Sequence, residues 1–289
     1  VHDGATQYTQ ATGLRALRER ISGWYQQRFG VDVPARRIVV TAGASAALQL
    51  ACLALIEAGD EVLMPDPSYP CNRHFVSAAE GNAMLIPTTA AERFQLSADK
   101  VRPPGAARHA ACCWPRPPTP PAPRLHPDEL RRIHERGAGH GGITLIDEIY
   151  LGLSYDDTFG HTALAIDDHV ISINSFSKYF NMTGWRLGWM VVPEPWCPWS
   201  SAWRKTCSSA PAPCRKHAAL ACFEPESIAE YERRRAEFKA RRDYFIPALQ
   251  RHGPAVPVMP DGAFYAWADC TAGLPKNWAC RAAGTSPSR

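Results

Sequence analysis

The chain has 289 residues, 45% of them hydrophobic, and 32 Lys and Arg against 28 Asp and Glu give a formal net charge of +4. That size and apolar content allow one large domain plus a smaller one, while the mild, scattered positive charge leaves no nucleic-acid footprint. No apolar run approaches the ~20 residues that span a bilayer, and no signal peptide opens the chain. The ten cysteines lack even spacing and show no zinc-type Cys/His pattern, so a reduced, cytoplasmic protein without a metal is expected. The first residue is Val1, and the chain is therefore expected to begin inside a longer one.

Taken in chain order, "TGLRALRERISGWYQQRFG" (12–30) puts Leu14, Leu17, Ile21 and Trp24 on one helical face, with Gly30 as the stop. "RIVVTAGASAALQLACLALIEAG" (37–59) reads as a short β-branched strand, a small-residue turn and an apolar helix. "DEVLMPDPSYP" (60–70) is a second strand running into a Pro-rich turn. "GITLIDEIY" (142–150) is a strand whose C-terminal end carries Asp147, and "VISINSFSK" (170–178) one whose end carries Lys178. "YERRRAEFKARRDYF" (231–245) mixes both charge signs at helical spacing, the pattern of a solvated helix face. Buried strands alternating with helices predict an α/β fold on a mainly parallel sheet. In such sheets, ligands meet polar residues at the C-terminal ends of the strands.

The richest stretch is "SINSFSKYFNMTGWRLGW" (172–189). A lysine in an apolar setting has a lowered pKa and can act as an amine nucleophile that forms a Schiff base. Ser175 and Arg186 beside it would suit a phosphate dianion. Alone, Lys178 reads equally well as a surface lysine after a strand. Its companions decide between the two readings. Asp147 is a carboxylate of the kind that keeps a pyridine nitrogen protonated, and Tyr150 lies three residues on. Gly43, Ala44 and Ser45 open a helix, where free amides and the helix dipole favour phosphate. Tyr69 offers a face to a planar ring.

Together "SFSKYFNMTGWRLGW", "IDEIY", "DPSYP", "TAGASAAL" and "PDGAFYAW" resemble the fold-type I, class I/II aminotransferases of the aspartate and aromatic kind, from about Gly4 to Asp269. The resemblance implies pyridoxal 5′-phosphate as cofactor and ping-pong transfer of an amino group from an L-amino acid to a 2-oxo acid. By it, Lys178 holds the cofactor as a Schiff base and shuttles the substrate proton, Asp147 pairs with the ring nitrogen, and Tyr150 reaches the ring oxygen. Tyr69 stacks on the ring, while Gly43, Ala44, Ser45, Ser175 and Arg186 hold the phosphate. Tyr8 matches a tyrosine that reaches the phosphate of a partner subunit, which implies a homodimer. The implied layout is an N-terminal tail over 1–29 that adds to the small domain and the dimer contact, a large cofactor domain over 30–220, and a truncated small domain over 221–289. A β-lyase or synthase of the same fold would keep Lys178, Asp147 and Arg186. A regulator built on this fold would need an upstream helix-turn-helix, and none is visible.

Three windows break the resemblance: 103–124, 196–216 and 271–289. They hold six of the ten cysteines and five of the nine tryptophans. In the first, family members carry an Asn-Pro-Thr-Gly-Thr loop whose asparagine donates to the ring oxygen; here stands "AACCWPRPPTPPAPRL" (110–125). One rule mends all three. If each true codon is the last base of one codon plus the first two of the next, Thr119-Pro120-Pro121-Ala122-Pro123 can read Asn-Pro-Thr-Gly-Thr. Trp and Cys become Leu, Met or Val. A true Pro-rich insertion would add to the loop rather than replace it. The windows therefore read as frame-shifted coding sequence. Prolines 117, 118, 120, 121 and 123 remove backbone donors, and the family's arginine for the substrate carboxylate has no counterpart after Asp269. As written, the chain is expected to transfer amino groups poorly or to be an inactive remnant.

Overall fold

A computed structural model describes residues 9–101, 125–156, 160–198, 211 and 213–269. Tyr8, the windows 103–124 and 271–289, and most of the window 196–216 (199–210 and 212) lie outside the described residues.

Helix α1 (Arg15–Phe29) buries Leu17, Ile21, Trp24 and Tyr25, and Gly30 ends it in the left-handed conformation at φ 67°, which a glycine adopts without a Cβ penalty. Strand β1 (Ile38–Thr41) is buried throughout and leads through Gly43 into α2 (Ala44–Leu55). Then follow β2 (Glu61–Asp66), α3 (Cys71–Ala78) and β3 (Asn82–Pro87). Beyond residue 124 come α4 (Pro127–Ala138), β4 (Leu145–Asp147), β5 (Ile171–Ser175) and β6 (Gly188–Val191). The short α5 (Pro213–Ala218) precedes the long α6 (Pro225–Arg251). The charged run of α6 does face solvent: Glu230 pairs with Arg233 and Arg234, Glu237 with Arg241, and Lys239 with Asp243.

Among the described residues the strands form a four-stranded sheet in the order β1-β6-β5-β4 and a β2-β3 pair. The β2-β3 and β4-β5 pairings are parallel, whereas β6 runs antiparallel to both of its neighbours. That reversal positions the site. Gly188, the first residue of β6, lies opposite Thr41 at the end of β1 and Ser175 at the end of β5. The chain entering β6 thus reaches the same edge as the chain leaving β1 and β5. Leu63 of β2 and Ile146 of β4 share one core cluster with Leu130 and Ile133 of α4, which ties the two sheets together.

The densest packing lies behind the Lys178 turn. Phe176, Phe180 and Trp189 are almost fully buried with Trp24 and Tyr25, their ring centroids mostly 5–6.5 Å apart and edge-on or tilted, the separations at which such pairs attract. Trp189 also donates its indole N–H to the Tyr25 hydroxyl at 3.2 Å. Truncating it would leave a large cavity and remove one hydrogen bond from the Tyr25 phenol. We expect Trp189→Ala to lower stability by about 3–5 kcal/mol, read as a fall in the urea midpoint.

Candidate active site

Three strand ends and one strand start converge. After β1, Gly43 takes φ +91° and hands the chain to α2, and a Cβ on it would stand 2.6 Å from Nη2 of Arg186. The guanidinium therefore lies directly over the first turn of the helix. Gly188 is forced for another reason, since a Cβ there would meet the carbonyl oxygen of Asn174 and the backbone of Gly43 and Ala44 at 2.8–2.9 Å. Arg186 itself has φ 49°, a left-handed turn just before β6, and its Nη1 donates to the Thr183 carbonyl at 3.0 Å. Positive charge and free helix amides thus share one spot, which is an anion cradle.

Ser175 is buried, and its hydroxyl meets the Leu187 carbonyl at 3.1 Å and the Ser177 hydroxyl at 2.9 Å. Ser177 is the hydroxyl beside Arg186, at 3.4 Å from Nη1. Ser45 stands exposed in the first turn of α2, next to buried Ala44.

Lys178 sits in the turn after β5, clamped by the buried Phe176, Tyr179 and Phe180 on either side. Its carbonyl accepts from Asn181 N. Among the described residues its Nζ meets two aromatic rings, Tyr150 at 5.3 Å and Phe264 at 5.4 Å from the centroids. Burial lowers the pKa of the amine, the charge of Arg186 lowers it further, and Asp147 opposes both. A lysine so placed is a better nucleophile than a surface one.

Asp147 ends β4. Its Oδ1 accepts from Ile149 N at 3.0 Å. Desolvation pushes its carboxyl up to about 7, helped by the neighbouring Glu148 and opposed by the Ile149 hydrogen bond and Lys178. Such a carboxyl is poised to meet a cation. The sign of its effect on stability follows. The folded chain holds this proton over a pH range in which the unfolded chain releases it, so the group's contribution is full below about pH 4 and lost as pH rises toward and through 7. Without cofactor, Asp147→Asn should stabilise the chain at pH 8 by roughly 1–3 kcal/mol. The gain should vanish at pH 4. Thermal melts at the two pH values check it.

Tyr150 is buried and shares a 2.7 Å hydrogen bond with the hydroxyl of Tyr265. Burial and that partner both push its phenol pKa up, so it remains a donor. Tyr69, 37% exposed, lies near enough to Tyr265 and Asp147 to feel their charge, and its own pKa is raised chiefly by contact with Cys71. Phe264 and Tyr265 form the wall toward α6 and border a cavity of about 230 Å³ that Phe238, Phe245 and Ile246 also line. Sequence reasoning did not single out Ser177, Phe264 or Tyr265. The last two lie inside "PDGAFYAW", whose aromatic pair beside a turn was the available signal. Tyr8 lies outside the described residues.

The class I and II aminotransferase model matches residues 2–281. A valine–pyruvate aminotransferase of Mycobacterium tuberculosis is 34% identical over 267 residues, covering 91% of this chain and 68% of that protein. An arginine–pyruvate transaminase of Pseudomonas aeruginosa is 29% identical, covering 92% and 68%. The crystal structure of an aminotransferase from M. tuberculosis superposes with a TM-score of 0.88 at 32% identity, over 98% of this chain and 73% of that one. The architecture is that of the fold-type I aminotransferases, aspartate and aromatic enzymes among them. Sequence, fold and the meeting of Lys178, Asp147 and Arg186 at one sheet edge agree: this chain belongs to the class I and II aminotransferase family.

Proposed function

We propose that the site binds pyridoxal phosphate and moves an amino group from an L-amino acid to a 2-oxo acid, with Lys178 as the covalent anchor. The family depends on that cofactor. The observation that carries the reading is the cradle: Arg186 lies over Gly43 where no Cβ could stand, on the same edge as a desolvated lysine and a carboxyl raised to about 7.

The residues fit the group's chemistry. A phosphate dianion suits Arg186 together with the first amides of α2. A protonated ring nitrogen suits Asp147, whose carboxyl gains most from a cationic partner. Tyr150 would donate to the ring oxygen, and Tyr69 would cover one face of the ring. When bound, the cofactor supplies an electron sink for the substrate's Cα. The protein's own tasks are to hold the proton at the ring nitrogen through Asp147 and to take and return the Cα proton on the Nζ of Lys178. We assign the functional unit as a homodimer, on the match of Tyr8 to a tyrosine that serves the neighbouring copy.

The test is direct. Pyridoxal phosphate is added to the purified chain, reduced with borohydride, and the labelled peptide is identified. Label on Lys178 supports the reading, and label elsewhere or nowhere sinks it. Product analysis with pyruvate, the acceptor named for both relatives, separates amino transfer from β-elimination, which would release ammonia.

A further inference from the structure

Directly after Asp147 stands a second carboxylate that the proposed chemistry does not use. Glu148 is 1% exposed, and its side chain leaves the strand end on the face opposite to the site. Its Oε2 accepts from the hydroxyls of Thr162 and Ser172, and its Oε1 from the backbone N–H of Ala163, all at 2.7 Å. Its own N–H donates to the Ile173 carbonyl at 2.6 Å. One side chain thus joins the end of β4, the middle of β5 and the turn at 162–163. The polar chain continues inward. Ser172 and Asn174 are hydrogen-bonding neighbours of the Tyr25 hydroxyl, which accepts from Trp189. A buried carboxylate so fully paired is costly to remove and unlike the apolar packing around it.

We propose that Glu148 is a positioning residue for the candidate site: it pins the end of β4 and places a negative charge behind Asp147 that strengthens Asp147's hold on a proton at the cofactor's ring nitrogen. This rests on the reading of Asp147 given above. The electrostatic direction agrees, because Glu148 raises the carboxyl of Asp147. The other groups facing Asp147 are Lys178, which lowers it, and the phenols Tyr69 and Tyr150. Tyr25 is the titratable group that faces Glu148 from α1.

The experiment follows the ¹³C carboxyl signal of Asp147 in the full chain without added cofactor, assigned with Asp147→Asn, in the wild type, Glu148→Gln and Glu148→Asp. Glu148→Gln removes the charge and keeps the shape, and its midpoint should fall by about half a pH unit or more. Glu148→Asp keeps the charge and should restore most of the shift. If Glu148→Gln does not fold, Glu148→Asn is the second charge-free variant, since its amide oxygen can still accept from the buried donors and Glu148→Asp is its charged match in size. An unchanged Asp147 midpoint in a folded charge-free variant overturns the proposal. Failure of both variants to fold also overturns it, since the carboxylate would then serve the fold alone. A second readout, the ¹⁵N shift of the cofactor's ring nitrogen, should move toward the unprotonated value in Glu148→Gln. If the wild type takes up no pyridoxal phosphate, the cofactor reading and the ring-nitrogen part of this proposal fall together. The action of Glu148 on Asp147 is still decided by the midpoint.

Discussion

Lys178→Ala will abolish borohydride-stable capture of pyridoxal phosphate by this chain. In a chain with restored reading frames it will lower amino transfer about 10⁴-fold or more, the upper range for one positioned acid–base group with its covalent role added. That corresponds to roughly 5–6 kcal/mol of barrier. The turn carrying Lys178 is built to keep that amine free. Phe176 N donates to the Leu187 carbonyl, Met182 N returns to the Phe176 carbonyl, and the Thr183 hydroxyl donates to the Ser177 carbonyl. These bonds, with three buried aromatics, fix the backbone while Nζ faces only the rings of Tyr150 and Phe264 among the described residues. A lysine that served stability would end on a carboxylate, as Lys239 does on Asp243. The alanine variant should keep its fold, because the aromatic anchors remain. Its melting temperature should stay within a few degrees of the parent while capture is lost. Lys178→Arg sharpens the test, since it keeps a charge but offers no amine nucleophile. Capture surviving in either variant would move the anchor to another lysine.

The parts of the site legible in the sequence are those set by local pattern. Ile38–Thr41, Leu145–Asp147 and Ile171–Ser175 are short, buried strands, and a polar residue closing an apolar run marks the edge where ligands meet an α/β sheet. The reading of Asp147 and Lys178 as site residues rests on that position together with their motifs. Arg186 was assigned from its motif, but the reason it reaches the cradle is not local. It lies there because β6 runs antiparallel between β1 and β5, and strand direction is settled by tertiary pairing. The choice between Ser175 and Ser177 is likewise beyond spacing. Both hydroxyls lie in one turn, and only the folded contacts show that Ser177 meets Arg186 directly while Ser175 is linked to it through Ser177. Tyr265 approaches Tyr150 across 115 residues of chain, a separation at which no periodicity speaks. Glu148 reads in the sequence as the ordinary neighbour of Asp147. Its role depends on Thr162 and Ser172, which only folding brings to it.

We propose that the windows 103–124, 196–216 and 271–289 are frame-shifted coding sequence, so that restoring the frame should raise amino transfer at least two to three orders of magnitude above that of the chain as written. Two physical losses set that scale. The first window, shifted by one base, can read Asn-Pro-Thr-Gly-Thr at 119–123, where Pro120, Pro121 and Pro123 now withhold backbone donors. By the family resemblance the loop's asparagine would add a second donor at the ring oxygen, and a lost charge-assisted hydrogen bond costs about 1.5–3 kcal/mol. The third window bears on substrate. Beyond Asp147 and Lys178, the wall of the site is Phe264 and Tyr265, with Phe264 44% exposed, Phe245 55% and Tyr244 77%. That apolar face lies next to the 230 Å³ cavity, and among the described residues no free guanidinium there offers a substrate carboxylate a two-point clamp: Arg242 is engaged by Asp243 and the Pro260 carbonyl, and Arg241 by Glu237. An unclamped substrate loses the orientation that makes reaction at Cα fast, and a misplacement of about 1 Å costs ~10²-fold. The repaired chain should therefore gain mainly in kcat/KM. Both chains would be expressed side by side, loaded with pyridoxal phosphate and assayed for alanine formed from pyruvate with a panel of amino donors. Equal rates would mean that the windows are genuine sequence and that the site works without the loop. A repaired chain that binds cofactor and transfers nothing would leave the frame reading intact and point to β-elimination instead, which ammonia release would reveal.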